Sequence, residues 1–310
     1  MKKIIALAVA GAFVAPAFAA DVTISGSAAW QYRDTASSST LSRDGDSPLV
    51  TVTGSEELPN GLTVKADMTF DLGTSNVTND GGDNITIGGL PFGTLEVGDS
   101  SGALDAVGDY TDIAPEKGGF GADGADHGLV VTLPSMNGMT VRASMSPKDG
   151  ADGAESDASG VSVAYDFAGG QVYYGTESYA GASNNDTTDQ TAYGLKYASG
   201  PFYFAVEAGT KEEDVSGTTT KMTSRGVAVS YKMGDITLGA ESQRNDFDGS
   251  TTSYTFDDDT DATEEIEANV VFVSYAAGGG LTLYAESYSD GKESTNSNED
   301  QTTIGVKYAF

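Results

Sequence analysis

The 310-residue sequence contains no cysteine, so no disulfide closes the fold. Basic residues are also scarce: 16 Lys and Arg stand against 46 Asp and Glu, for a formal net charge of −30. Such a chain repels nucleic acid and other polyanions and attracts cations, Ca²⁺ among them. Long apolar runs are nearly absent. The single one, residues 4–14, is too short to cross a membrane as a helix, and no run of 18 apolar residues follows it. Hydrophobic residues make up 38% of the chain, where a soluble globule carries roughly 45–50%, so a conventional core would be thin. Nothing has the spacing of a phosphate-cradling loop or a zinc site.

Lys2 and Lys3, the apolar run after them and Ala17-Phe18-Ala19 make a secretory signal peptide over residues 1–19, with one domain from 20 to 310. An exported chain with 40 Gly, 15 Tyr and little apolar material fits a wide β-barrel in an outer membrane. Such a barrel turns its apolar face outward to lipid and keeps its interior wet.

Period-2 alternation recurs from end to end, with no 3.6-residue periodicity in the mature chain. It predicts an all-β fold of sixteen strands, at 21–34, 46–57, 62–73, 83–90, 94–101, 127–134, 139–147, 159–168, 171–180, 189–198, 201–212, 222–233, 235–246, 264–277, 280–290 and 300–310. The connections alternate between short turns and long polar stretches. The turns "LPNG" (58–61), "PFG" (91–93), "SMNG" (135–138), "AGG" (168–170), "SGP" (199–201), "GD" (234–235) and "AAGGG" (276–280) have hairpin chemistry. Stretches such as "TASSSTLSRDG" (35–45) read as long loops. Short turns all on one face and long loops on the other match the short periplasmic turns and long external loops of an outer-membrane antiparallel barrel.

A repeat runs through the second half. Tyr165, Tyr197, Tyr231, Tyr275 and Tyr308 occupy matching places near the ends of five strands, and after each of the first four turns the returning strand brings Glu177, Glu207, Glu241 or Glu286. By parity the tyrosines face lipid and form an aromatic belt at the short-turn boundary. The other face carries Lys65, Asp67, Glu96, Arg142, Glu177, Lys196, Glu207, Glu241, Glu286 and Lys307 among Ser, Thr and Gly. About sixteen strands leave an aqueous lumen for these charges to line. Strand 264–277 is apolar on both faces around Val270 to Val273.

Residues 102–126, "GALDAVGDYTDIAPEKGGFGADGAD", form the longest connection and intersperse apolar anchors with Asp105, Asp109, Asp112 and Glu116. Loops of this length are functional or disordered, and the apolar content argues for order. His127, the lone histidine, falls at the rim on the parity of Leu129, Val131 and Leu133, where catalysis is the weaker reading. Oxygen-rich "DFDGS" (246–250), "DDDTD" (257–261) and "RDGDS" (43–47) could hold a structural Ca²⁺, at Asp246 and Asp248 above all, but none has the spacing of a calcium loop with a final glutamate.

The start "DVTISGSAAW", the segment "ITIGGLPFGTLEVGDSSGALDAVGDY" (85–110), the long loop after the fifth strand and the terminal "GVKYAF" resemble the general diffusion porins of Gram-negative bacteria, those of the Rhodobacter type in particular. The resemblance implies a sixteen-stranded barrel, usually a homotrimer, whose third loop folds into the lumen and narrows it. It implies passive passage of ions and small hydrophilic solutes, no cofactor and no enzymatic activity, with outer-membrane lipid and the assembly machinery as further partners. Asp105, Asp109, Asp112 and Glu116 would be the acidic edge of the constriction, with Arg33, Lys65 and Arg142 as the basic wall opposite, and Arg43 and Arg225 as lesser candidates. Many relatives carry a denser arginine cluster than the five arginines here. Phe310 would be the terminal aromatic read by the insertion machinery. The excess of carboxylates favours cations. A substrate-specific channel and a surface adhesin are the alternatives, separated from a general porin by solute-dependent block and by conductance.

Overall fold

The computed structural model describes residues 21–35, 37–43, 48–72, 78–79, 83–116, 124–146, 157–180, 187–215, 217–248, 265–290 and 300–310. The signal peptide over 1–19 and the "DDDTD" stretch lie outside the described residues. The strands, in chain order, are β1 (Asp21–Thr35), β2 in two parts (Ser39–Arg43 and Leu49–Glu57), β3 (Thr63–Asp71), β4 in two parts (Thr78–Asn79 and Asn84–Leu90), β5 (Gly93–Ser101), β6 (Asp126–Thr132), β7 (Met139–Met145) and β8 (Ser159–Phe167). Then follow β9 (Gly170–Ala180), β10 (Thr187–Ser199), β11 (Phe202–Val215), β12 (Thr218–Met233), β13 (Ile236–Asp248), β14 (Glu265–Gly278), β15 (Leu281–Asp290) and β16 (Gln301–Ala309). The only helical turn among the described residues is a 3₁₀ turn, Asp105–Val107.

Each strand pairs antiparallel with the next, and β1 pairs with β16 from Ser27↔Ala309 to Thr35↔Gln301, which closes a sixteen-stranded barrel. Closure matters because an open edge in lipid would leave a row of backbone N–H and C=O groups without partners. The turn chemistry is visible in the backbone. At "SMNG", Asn137 and Gly138 both take positive φ, 52° and 87°, the pair of left-handed residues that a tight hairpin with matching strand twist requires.

Two connections read as long loops are hairpins. Ser39–Arg43 pairs with Trp30 to Asp34, and β11 runs on to Val215, which pairs with Thr218 of β12. "STLSR" and "EEDVSGTTTK" lack apolar alternation, and above the lipid band a strand has no reason to alternate because both its faces are wet.

Alternation sorts the faces. Val161 and Tyr165 on β8, Phe204 on β11, Val227 and Val229 on β12, Val271 and Val273 on β14, and Ile304 on β16 are exposed on the outside. On β14, apolar on both faces, Val270 and Phe272 turn inward and are buried, and Val271 and Val273 turn out. Tyr165, Tyr197, Tyr275 and Tyr308 are exposed on the outer face near the short turns, and Tyr231 is half-buried there against Phe202, ring centroids 4.6 Å apart.

The inner wall is built of small residues and inward aromatics. Ala164, Ala192, Ala205 and Ala228 are buried on β8, β10, β11 and β12. Tyr173, Phe272 and Tyr284 each lie directly opposite a glycine on a neighbouring strand, Gly194, Gly239 and Gly305. A Cβ at any of the three would come within 2.5 Å of the aromatic ring, so these glycines leave the room into which the rings fold.

Candidate functional site

The connection after β5 enters the lumen and runs around its wall. Leu104, Val107 and Tyr110 pack with Ala164, Tyr173, Ala192, Ala205 and Ala228, so the wall's alanines accept the loop's apolar anchors. Leu104 sits where Gly175 has no side chain; a Cβ there would lie 2.6 Å from its Cδ1. Burial of these anchors, at roughly 25 cal/mol per Å², favours the docked loop.

Four glutamates on the wall then take its backbone. Glu207 Oε2 accepts the amide N–H and the hydroxyl of Thr111, both at 2.8 Å. Glu241 Oε2 accepts the amides of Ile113 and Ala114 at 2.9 and 3.1 Å. Glu286 Oε2 accepts the amide of Glu116 at 3.1 Å, and Glu177 Oε1 that of Ala125, at the returning end of the loop, at 2.8 Å. All four carboxylates are buried. These hydrogen bonds and the apolar anchors both favour the docked position of the loop.

Tyr110 is the most heavily used loop residue. Its hydroxyl donates to Gln171 Oε1 and its carbonyl accepts the Tyr203 hydroxyl at 2.7 Å. Its ring meets Tyr173 edge-on with centroids 4.8 Å apart, and Lys196 Nζ lies 3.9 Å from the ring centroid on the wall side. Burial of the Tyr110 hydroxyl, then the Glu207 and Asp166 charges, push its pKa above the ordinary phenol value.

Asp109 takes a positive φ of 61°, rare for a residue with a side chain and tolerated best by Asn and Asp. Asp112 keeps an open face to the lumen, yet the surrounding wall withdraws part of its hydration and, with Glu207 nearby, raises its carboxyl pKa above the usual value. Asp105 begins the 3₁₀ turn, half-buried.

Of the three basic wall candidates Arg33 and Arg142 engage the loop, and Lys65 does not. Arg33 forms an ion pair with Glu116, whose carboxylate also accepts Gln31 at 3.2 Å and Gln301 at 3.3 Å. Arg142 Nη1 donates to the Ala106 carbonyl at 2.7 Å. Lys65 pairs with its own strand neighbour Asp67 at 2.7 Å, and Thr53 donates to the same Asp67 at 2.6 Å. Arg43 and Arg225 are exposed on the outward parity, Arg43 opposite Trp30 and Arg225 in line with Val227 and Val229, and neither faces the lumen. Glu96 is half-buried on the inner face of β5, opposite Thr86, and Lys307 is exposed near the short-turn mouth.

A closed sixteen-stranded barrel with residues 104–116 of the loop after β5 docked inside it meets one family in sequence. Residues 6–310 match the Gram-negative porins. The chain belongs to the Gram-negative porin family. No curated relative matches it. In fold the porin is similar to an anion-selective porin of Comamonas acidovorans, with a TM-score of 0.76, 17% identity, and coverage of 94% of this chain and 100% of that one. It is likewise similar to the outer-membrane protein OmpT of Vibrio cholerae in its trimer form, with a TM-score of 0.73 at 16% identity over 94% and 100% of the two chains. A third similar structure is the outer-membrane channel DcaP of Acinetobacter baumannii, at a TM-score of 0.73, 12% identity and coverage of 94% and 97%. Family and barrel place the porin in the outer membrane.

Two further residues of this porin sit differently from their sequence reading. His127 is fully buried on the inner side, Nε2 3.5 Å from Glu177 Oε2, and not on the rim with Leu129 and Val131. A bulge between Val97 and Ser100 on β5 shifts the pairing there, and it turns the parity of β6 before Leu129. Asp246 faces outward between Arg244 at 3.0 Å and Arg225 at 3.6 Å, so two guanidinium groups already supply the positive charge a calcium ion would bring. Among the described residues no three Asp, Glu or His side chains are grouped to hold a metal.

The Glu177, Glu207, Glu241 and Glu286 series was visible in the sequence as wall charge, whereas its grip on the loop was not. The partners are backbone N–H groups, which every residue but proline carries, so no side-chain pattern announces them.

Proposed function

We propose that the porin is a general diffusion channel that passes ions and small hydrophilic solutes and prefers cations, with loop 102–125 as its constriction. The observation that carries the preference is the engagement of the lumen bases. Arg33 is paired with Glu116, Arg142 with the Ala106 carbonyl and Lys65 with Asp67, while Asp105, Asp109 and Asp112 lie along the loop in a chain of net charge −30. A path lined by acids, with Arg33 and Lys65 each paired to a carboxylate, raises the local cation concentration and presents a weak transverse field.

On this reading residues 1–19 direct export, Phe310 is the aromatic recognised during insertion, and the barrels assemble as trimers, an assembly state named for the similar OmpT structure. The likeness of 85–110 to Rhodobacter-type porins supports an inward third loop of the same kind. Purified protein in a planar bilayer is expected to open stable channels whose reversal potential in a salt gradient has the sign of cation preference. A silent bilayer would remove the channel reading. Block by one solute at low concentration would replace the general channel with a substrate-specific one.

A further inference from the structure

The wall repeat and the loop advance together. The glutamates recur once per hairpin, Glu177 on β9, Glu207 on β11, Glu241 on β13 and Glu286 on β15. Three of them meet the loop in chain order: Glu207 takes residue 111, Glu241 takes 113 and 114, and Glu286 takes 116. One hairpin around the wall therefore corresponds to two or three residues of loop. The lengths agree, since two strand spacings come to about 9.5 Å and two to three extended residues span about 7–11 Å. Glu177 holds the returning end through Ala125, so the series grips both limbs.

We propose that these four glutamates are positioning residues that set the cross-section of the channel, by fixing the constriction loop through its backbone. The channel part of this statement rests on the porin reading; the positioning part does not. The repeat of one glutamate per hairpin is thereby a ruler for the loop.

The four positions are not equivalent. Glu207 uses both oxygens: Oε1 accepts the Tyr173 hydroxyl at 2.6 Å while Oε2 accepts two donors from Thr111. A glutamine there can keep its carbonyl on Thr111 and turn its NH₂ to Tyr173, whose hydroxyl accepts as well as donates. At Glu241 the two loop amides share a single oxygen, which a glutamine carbonyl can replace. Glu207→Gln and Glu241→Gln are thus both expected to leave the loop docked and the alanines to loosen it, a difference that loss of negative charge alone does not produce.

The absence of cysteine makes the test direct. A nitroxide on Asp112→Cys reports loop mobility in the refolded full-length barrel, with heat-modifiable gel migration confirming closure. An immobilised spectrum is expected in the parent and in both glutamine variants, and a dominant mobile component in the Glu207→Ala/Glu241→Ala double variant. Thr111→Pro, which removes both loop donors to Glu207 and leaves the wall intact, is expected to act in the same direction and covers the case in which the double variant fails to close. In bilayers the double variant is expected to raise unitary conductance by roughly twofold, since the lumen of about sixteen strands is wide without its loop. An immobilised probe in closed barrels of both the double variant and Thr111→Pro would overturn the proposal. A parent that conducts nothing while its probe still responds to these substitutions would overturn the channel reading and leave the positioning role standing.

Discussion

Gly26 and Phe310 exchange both of their backbone hydrogen bonds, each at 3.0 Å, and the Phe310 ring lies over the Gly26 Cα. The last residue of the chain is therefore the final rung of the ladder that joins β1 to β16. A Cβ on Gly26 would lie 2.5 Å from the Leu49 carbonyl oxygen and 2.8 Å from the Phe310 ring, so there is room for no side chain.

Gly26→Val is accordingly expected to impair closure at the seam. Overpacking of this kind costs about 1–3 kcal/mol, and here one of the obstructing groups is backbone that cannot swing aside. The fraction of heat-modifiable, folded barrel after refolding should fall clearly below that of the parent, while Phe310→Ala, which keeps the backbone pair and loses only the ring, should be milder. Equal folding yields for Gly26→Val and the parent would refute the seam account.

Strand number, facing and closure were legible because lipid outside and water inside impose a strict two-residue alternation wherever a strand crosses the apolar band. Beyond that band the signal ends, which is why Ser39–Arg43 reads as loop although it pairs with β1. Arg225 was a lesser candidate for the basic wall, yet it shares the parity of Val227 and Val229 and so points outward, an alternation already present in the sequence. The facing of His127 was not legible, because a bulge at Val97–Ser100 resets the parity. The pairing of Arg33 with Glu116 joins positions 83 apart in the chain, and only the path of the inward loop brings them together.

That pairing predicts opposite shifts in ion preference. Arg33→Ala removes a cation from the lumen and leaves Glu116 held by Gln31 and Gln301, so the reversal potential should move toward stronger cation preference. Glu116→Gln leaves Arg33 without its anion and should move it the other way. The Arg33 side chain is 34% exposed, so the effect on folding stability should be small, on the order of 1 kcal/mol or less. Shifts of the same sign in both variants would contradict the arrangement.

Gly194 tests the wall beneath the loop. A Cβ there would approach Tyr173 Cε1 to 2.5 Å and Glu207 Cγ to 2.9 Å, and both side chains would have to move. Gly194→Ala is expected to disturb the Tyr173–Glu207 bond and through it the docking of Thr111, with a cost of about 1–3 kcal/mol. Urea unfolding monitored by tyrosine fluorescence reports the stability, and open-channel noise in the bilayer reports the loop. An unchanged midpoint together with unchanged noise would show that the glycine is not required.

The raised pKa of Asp112 predicts how ion preference depends on pH. Partial loss of hydration, then the Glu207 charge, make the docked carboxyl hold its proton more tightly than a freed one. Asp112 therefore loses its charge before an ordinary carboxylate as the pH falls, and cation preference should begin to decline above the usual carboxylate range of about 4. The sign for docking is the reverse of that for a salt-bridged acid. A group whose pKa is raised in the docked state favours docking more as pH falls through that raised value, and the gain is complete below the pKa of the undocked loop. Acidification should thus weaken selectivity while leaving the loop in place. Reversal potentials measured between neutral and mildly acidic pH should show this early step in the parent and lose it in Asp112→Asn. A step retained in Asp112→Asn would assign it to another carboxylate.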